Sequence, residues 1–219
     1  MCFSGGKDSA IALHEIRRAE MYVVKELLTT VTIPYDRVTM HGVRRALVRQ
    51  QAEAIGIPIT EVAVPPSSSN AIYEREMGYA FARLQIQGIR RVAFGDIFLE
   101  DLRVYREEQL AACKLECVFP IWKRDTTELA HQFVNDGFKA IVACVNPAVL
   151  DASFAGRPFD EAFLAALPPE VDPCGENGEF HTFVFDGPIF RWPVRISLGQ
   201  VVERDRFVFC DLVPDGGVS

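Results

Sequence analysis

Not one C-x-x-C pair occurs among the six cysteines of this 219-residue chain (Cys2, Cys113, Cys117, Cys144, Cys174 and Cys210), which argues against a zinc knuckle and leaves most of them as expected small buried hydrophobes. Cys113 and Cys117, four residues apart, are expected on one face of a helix end. The four histidines, His14, His41, His131 and His181, follow no H-E-x-x-H or other ligand spacing, so a structural metal site is not expected. No apolar run approaches the length that crosses a bilayer, and the start lacks a basic-plus-apolar signal pattern; a cytoplasmic location is the expectation. Positive charge is short as well. The net charge of −7 argues against bulk nucleic-acid binding, which rests on phosphate neutralisation. Arg44, Arg45 and Arg49 share one predicted helix and read as a solvated face, while Arg90-Arg91 precede a predicted strand. Internal repeats and low-complexity segments are absent.

What is present begins at once. Met1-Cys2-Phe3 is a short apolar stretch, followed by Ser4-Gly5-Gly6-Lys7-Asp8-Ser9 and then a helical stripe of Ile11, Ala12, Ile16 and Ala19. The two glycines permit positive φ and let the main chain approach a ligand closely. Free N–H groups and the positive dipole end at the helix start attract anions. Lys7 adds a mobile point charge for phosphate oxygens. A turn in which Asp8 merely caps the helix has no need of Ser-Gly-Gly-Lys as well. The loop is not a Walker A loop, because Gly6-Lys7 is followed by Asp8 and the only earlier glycine is the adjacent Gly5. Three residues before Ser4 are few for a central strand. Met1 is expected to lie inside a longer natural strand, or neighbouring contacts to complete it.

With 49% hydrophobic and 24% charged residues the chain has the profile of a soluble globular protein, with room for one large domain or a main domain and an appendage. Strand-like runs at Val23–Val31, Ile59–Val64, Arg91–Asp96 and Leu115–Ile121 alternate with helical runs at Ser9–Glu20, Val43–Ile55, Ala71–Gln87 and Asp101–Cys113. Gly56-Ile57-Pro58 stops the second helix, and the loop 65–70 is expected to cap the third. This alternation predicts an α/β fold, a parallel sheet with right-handed crossovers and helices on both faces. Ligands of such sheets bind at the carboxyl ends of strands, where both Ser4-Gly5-Gly6 and Gly95-Asp96 fall. From about Lys123 the pattern changes to a helix (Asp125–Asp136), a strand (Ala140–Val145), a short helix (Asp160–Leu167) and β-like runs at Phe180–Phe185, Ile189–Val202 and Phe207–Leu212. Two domains are expected, residues 1–123 and a smaller C-terminal α+β unit over 124–219 with antiparallel strands. The tail from Pro214 is expected to fray.

The segment 171–182, Val-Asp-Pro-Cys-Gly-Glu-Asn-Gly-Glu-Phe-His-Thr, is a second constellation. Its spacing leaves two readings open. Asn177-Gly178 is a strong hairpin-turn dipeptide, which would leave Glu176 and Glu179 as solvated flanking charges. Alternatively the turn presents two carboxylates, an imidazole and a hydroxyl on one rim, able to bind an amine or orient an acceptor.

The loop Ser4 to Ser9 resembles the Ser-Gly-Gly-x-Asp-Ser motif of the ATP-pyrophosphatase (PP-loop) superfamily. Together with Gly175-Glu176-Asn177-Gly178-Glu179-Phe180 it is similar to the diphthine–ammonia ligase family within that superfamily. The resemblance continues through Gly95-Asp96-Ile97, Pro120-Ile121-Trp122, Gly156-Arg157 and Asp186-Gly187-Pro188-Ile189-Phe190, almost the whole chain. It implies an ATP-binding PP-loop domain and a C-terminal substrate-binding domain. It also implies a reaction in which ATP, ammonia and a carboxylate acceptor give an amide, AMP and pyrophosphate. In the namesake enzyme the acceptor is diphthine, on a modified histidine of translation elongation factor 2. Where eukaryotic and archaeal members have Glu-Tyr-Glu-Thr, this chain has Glu179-Phe180-His181-Thr182, which looks like the bacterial branch. Bacteria lack diphthamide, so that branch implies the same ATP chemistry on another acceptor.

On this reading Ser4, Gly5, Gly6, Lys7, Asp8 and Ser9 cradle the phosphates of ATP, and Lys7 offsets charge on the departing pyrophosphate. Asp8 and Asp96 are the candidates for Mg²⁺. Gly95 belongs to the nucleotide site, and adenine is expected against the strand end at Val31 and Thr32. Glu176, Glu179 and His181 would face the acyl-adenylate and assist ammonia, with Asn177, Gly178 and Thr182 at the acceptor. Cys174 reads as a small buried residue rather than a nucleophile. A tRNA-modifying PP-loop enzyme and a non-catalytic ATP-binding regulatory module are the alternatives; the missing C-x-x-C pairs and acidic balance count against the first, and the second has no need of the turn at 175–182. The oligomeric state, a homodimer included, is not fixed by the residues.

Overall fold

Hydrogen bonds on both edges hold the opening stretch in the middle of a parallel sheet. In the computed structural model, which describes residues 1–39, 41–66, 68–204 and 206–215, Phe3 N–H donates to Leu28 O and Leu28 N–H to Met1 O on one side. On the other side Cys2 N–H donates to Ala93 O. The flanking strands are β1 (Leu27–Thr32) and β4 (Arg91–Ala93). Beyond them β3 (Ile59–Ala63) pairs parallel to β1, and β5 (Glu116–Val118) parallel to β4. The spatial order is thus β3, β1, residues 1–3, β4, β5, with neighbours completing what the three apolar residues begin. Chain connections leave residues 1–3 toward one edge and return to β4 on the other. Between those two carboxyl ends lies the crevice where such sheets bind ligands. β2 (Arg37–Val38) adds a two-residue antiparallel edge to β1, too short to leave a periodic signal.

Helices α1 (Lys7–Ala19), α2 (Arg45–Ile55), α3 (Asn70–Ile86) and α4 (Glu100–Ala112) complete this half. Ser69 is the N-cap of α3 but makes no side-chain capping bond. The expected shared helix face for Cys113 and Cys117 is corrected. Cys113 caps α4, Lys114 turns the chain at φ +55, and Cys117 lies in β5. Nor is the arginine cluster a loose solvated face: Arg45 and Arg49 both pair with Glu61, and Arg44 pairs with Asp211.

The C-terminal half contains α5 (Thr126–Asn135), β6 (Lys139–Val145), α6 (Glu161–Ala166), β7 (Phe180–Asp186), β8 (Ile196–Arg204) and β9 (Phe207–Pro214). Its sheet is antiparallel in the order β7-β6-β9-β8. The expected strand from Ile189 starts only at Ile196. Pro188 and Pro193 have no N–H to give a ladder, and Arg191 N–H is spent on Ala54 O at the end of α2. β9 runs to Pro214 and Asp215 N–H donates to Arg195 O, while the expected frayed tail at 216–219 lies outside the described residues.

One apolar cluster joins the halves. Ile11, Leu13 and Ile16 of α1 pack with Phe133, Val142 and Phe180. Burying each such ring or aliphatic side chain contributes roughly 1.5–3 kcal/mol, so α1 is clamped between the sheets and its first turn is fixed in place. Among the described residues no helix is long and apolar enough to cross a membrane.

Candidate active site

At and around the loop between residue 3 and α1, two positions are glycine for steric reasons. Gly5 has φ +85, and a Cβ there would lie 2.5 Å from Gln51 Oε1. Gly95, just past β4, lies so close to α1 that a Cβ would meet the Asp8 carbonyl carbon at 2.8 Å. Removing that Cβ lets the first turn of α1 abut the end of β4, as the sheet order requires. The Gly5 carbonyl accepts from Val184 N–H of β7 at 2.9 Å and from Gln51 Nε2 at 2.9 Å. Gly6 N–H donates to Ser4 Oγ at 3.3 Å, Lys7 N–H to Thr182 Oγ1 at 3.0 Å, and the Ser9 hydroxyl to Gly6 O at 2.9 Å.

Lys7 is 2% exposed. Its Nζ donates to Asp8 Oδ1 at 2.7 Å and to Cys174 O, and stands 5.5 Å from the Phe180 ring centroid. Burial works against its charge, but the Asp8 carboxylate outweighs burial and holds the ammonium above its ordinary pKa. Asp8 therefore serves Lys7 and does not cap the helix, whose N-cap Gly6 has no side-chain bond. Burial pushes the Cys174 thiol up to about 12, and its Sγ points to Thr126 O at 3.3 Å, the surroundings of an inert thiol.

The turn at 175–178 closes through Gly178 N–H to Gly175 O at 3.0 Å, with both glycines at positive φ. It is not a hairpin turn, since β7 pairs with β6 and not with the segment before the turn. Its carboxylates are held, not solvated. Glu176 Oε1 accepts from Ile97 N–H at 2.8 Å, which ties this turn to the Gly95-Asp96-Ile97 loop. Burial raises the Glu176 pKa to about 7 despite that donor. Glu179 is 5% exposed; Oε1 accepts from Asp172 N–H at 3.2 Å and Asn177 Nδ2 at 3.0 Å, and its buried Oε2 has no partner among the described residues. The His181 ring lies 4.5 Å from that of His41. Burial lowers His181 to about 4 and His41 well below its ordinary value, so both imidazoles are neutral at neutral pH. The His41 Cε1 atom lies 3.3 Å from where a Gly6 Cβ would be.

Thr182 thus meets the loop directly and His181 through His41, while Glu176 meets the loop 95–97 and Glu179 is held within its own segment. Asp96 sits beside them, but Arg106 of α4 holds both of its oxygens, with Nη2 at 3.1 Å from Oδ1 and Nε at 2.5 Å from Oδ2. Val31 is fully buried, whereas Thr32 reaches a cavity of ≈ 660 Å³ at the carboxyl ends of β1 and β3, closed on its far side by the β8–β9 hairpin. No group of three or more His, Cys, Asp or Glu side chains is gathered for a metal ion among the described residues. Arg106, Gln51 and His41 are the contributors that sequence reasoning passed over. Gln51 had a signal, a lone amide in the buried stripe of Leu47, Val48, Ala52 and Ile55 on α2. Arg106 had none, because the ten residues back to Asp96 match no helical period, and His41 had none, because its ring neighbour His181 is distant in the chain.

Residues 1–113 match the family model of the diphthamide synthase N-terminal domain, and residues 125–211 that of the diphthamide synthase C-terminal domain. Among curated proteins the chain is similar to the diphthine–ammonia ligase of Bos taurus, 25% identical over 234 residues covering 94% of this chain and 85% of that one. It is 24% identical to the Homo sapiens diphthine–ammonia ligase over the same shares of each chain. A shorter match, 29% identical over 96 residues, covers 42% of this chain and 16% of the Schizosaccharomyces pombe diphthine–ammonia ligase.

Proposed function

The chain belongs to the diphthamide synthase family and is an ATP-dependent ligase, and from that premise we propose that it condenses ammonia with a carboxylate through an acyl-adenylate. A carboxylate oxygen of the acceptor attacks the α-phosphorus of ATP and pyrophosphate leaves. Ammonia then attacks the acyl carbon, AMP leaves, and a proton is released as the amide forms. The observation that carries this reading is the meeting of the segment 174–182 with the loop 4–9, through Lys7 N–H on Thr182 Oγ1 and Lys7 Nζ on Cys174 O, and with the loop 95–97, through Ile97 N–H on Glu176.

Each residue has a part. Gly5, Gly6 and Lys7 offer amides to the β and γ phosphates, with the Ser4 and Thr182 hydroxyls holding two of those donors until phosphate oxygens take them over. Ser9 steadies the Gly6 carbonyl, and Lys7 counters charge building on the departing pyrophosphate. Adenine lies on the Thr32 side of the 660 Å³ cavity. Glu176, with a pKa near 7, takes the proton from attacking ammonia. The neutral His181 and the open oxygen of Glu179 accept hydrogen bonds from the nitrogen. Asn177 and Gly178 shape the acceptor's rim. Positioning supplies much of the rate, and no covalent enzyme intermediate is needed.

Mg²⁺ bound here would offset phosphate charge; it commonly takes only one or two protein carboxylates beside phosphate oxygens and water. Asp8, half-buried at the loop with one oxygen on Lys7, fits that part. Asp96 fits only through water while Arg106 holds both its oxygens.

Incubating the chain with ATP, ammonium and a metabolite or protein extract tests the reading. AMP, pyrophosphate and a new amide by mass spectrometry are expected. ADP in place of AMP, or stimulation of pyrophosphate release by tRNA without amide formation, overturns it.

A further inference from the structure

The 660 Å³ cavity carries a charge that the rest of the molecule does not. The chain's net charge is −7, yet among the described residues three guanidinium groups (Arg37, Arg204 and Arg206) face this cavity against one carboxylate, Asp211. That carboxylate is spent inside the protein. Its Oδ1 accepts from Arg37 Nη1 at 2.7 Å and its Oδ2 from Arg44 Nη2 at 2.6 Å. Arg204 and Arg206, at the tip of the β8–β9 hairpin, have no carboxylate within ion-pair distance among the described residues. Both instead stand over aromatic rings, Arg204 at 5.9 Å from the Tyr35 centroid and Arg206 at 5.3 Å from that of Phe207. An aromatic face beneath a guanidinium leaves its edge donors directed outward and favours flat anionic groups.

The cavity wall adjoins the phosphate loop through one segment. Thr39 and Gly42 line the cavity, and His41 between them is the ring that lies against Gly6 and His181. Gly42 is the hinge of this arrangement. At φ +67 a Cβ would run into the Phe209 ring at 2.5 Å, so only glycine lets β9 close over the segment. A molecule in the cavity can rest its body on Phe207 and Phe209, with His41 the one side chain between its inner end and Gly6.

We infer that the hairpin side of this cavity is the acceptor site, and that the acceptor is a small molecule with a flat apolar body and a second anionic group besides the carboxylate that is activated. This rests on the ligase reading, with ATP on the Thr32 side and the loop. The second anion is held by Arg204 and Arg206, the first carboxylate is left free to reach ATP, and a neutral or cationic acceptor is disfavoured by two guanidinium groups that pair with no carboxylate among the described residues.

Naphthalene-2,6-dicarboxylate, a fluorescent flat dianion, serves as the probe, titrated into the full chain saturated with α,β-methylene-ATP. The probe is expected to bind with the nucleotide present, its dimethyl ester to bind at least 10-fold more weakly, and the R204Q/R206Q double variant to lose 10-fold or more in probe affinity while its nucleotide affinity stays within 2-fold. Both arginines are exposed, so the variant is expected to melt with the wild type. Displacement of the probe by the nucleotide overturns the inference, as does an ester that binds equally well, or a double variant that loses nucleotide affinity instead. Failure of the nucleotide analogue to bind at all refutes the ligase reading; failure of the probe alone, with the nucleotide bound, refutes only this acceptor site.

Discussion

At the scale of single residues, the site depends on two charges in surroundings that oppose charge. Lys7 stays ionised because Asp8 is 2.7 Å away, so a lysine variant tests both chemistry and stability. Lys7→Met is expected to cut AMP formation on the order of 10²-fold or more, and also to lower the melting temperature by stranding the Asp8 carboxylate. Adding Asp8→Asn should restore the melting temperature but not AMP output. Recovery of AMP output in the double variant would show that Lys7 serves only structure. Glu176 gives a pH signature. Its pKa is raised to about 7 in the fold against 4.5 in the unfolded chain, so the folded form holds the extra proton between those values. Stability therefore falls as the pH rises through that window, by up to about 3 kcal/mol once both values are passed. Glu176→Gln removes that slope, and its advantage in melting temperature over the wild type is expected to grow from pH 4.5 and level off above pH 7. A constant difference across that range rejects the assignment.

At the scale of elements, glycines separate backbone need from spatial need. Gly178 has φ +86 with open space around it, whereas Gly5 at φ +85 is also shut in by Gln51. Gly178→Ala is expected to cost roughly 1 kcal/mol in urea unfolding, and Gly5→Ala roughly 1–3 kcal/mol or more together with loss of ATP binding; equal costs would mean that Gln51 yields freely. The same scale shows what the sequence could carry. Six helices were legible from 3.6-residue stripes and their stops, and the observed ends of α2 and α5 lie within two residues of those expected. The parallel pairing was legible from alternation alone, though not the order of the strands. The reach of β8 was not, because Ile189 to Arg195 has strand composition while two prolines and the Arg191 contact to α2 keep it out of the sheet. The turn at 175–182 could be read as hairpin or rim until its three-dimensional neighbours were known. Ile97 N–H, which holds Glu176, lies 79 residues away in sequence, and no local pattern encodes such a contact.

At the scale of the whole molecule, the cluster shared by α1, Phe133, Val142 and Phe180 makes the halves interdependent. One tryptophan, Trp122, lies in the first half as divided at residue 123 and the other, Trp192, in the second. Unfolding in urea is expected as one transition, with tryptophan fluorescence and far-ultraviolet circular dichroism sharing a midpoint. Two separated midpoints would show that the cluster does not couple the halves.

The Gly5 carbonyl takes hydrogen bonds from Val184 of β7 and from Gln51 of α2. The loop backbone is therefore fixed by the protein itself, and a nucleotide bound there as proposed needs only the Ser4 and Thr182 hydroxyls to swing aside. Association then spends almost nothing on ordering the chain. Calorimetry with a non-hydrolysable ATP analogue is expected to return a heat-capacity change far smaller than coupled folding gives, with a single fast kinetic phase. With ATP at this loop as proposed, the nucleotide is expected to meet a template, and selectivity among nucleotides to be decided at encounter, without a later closing step.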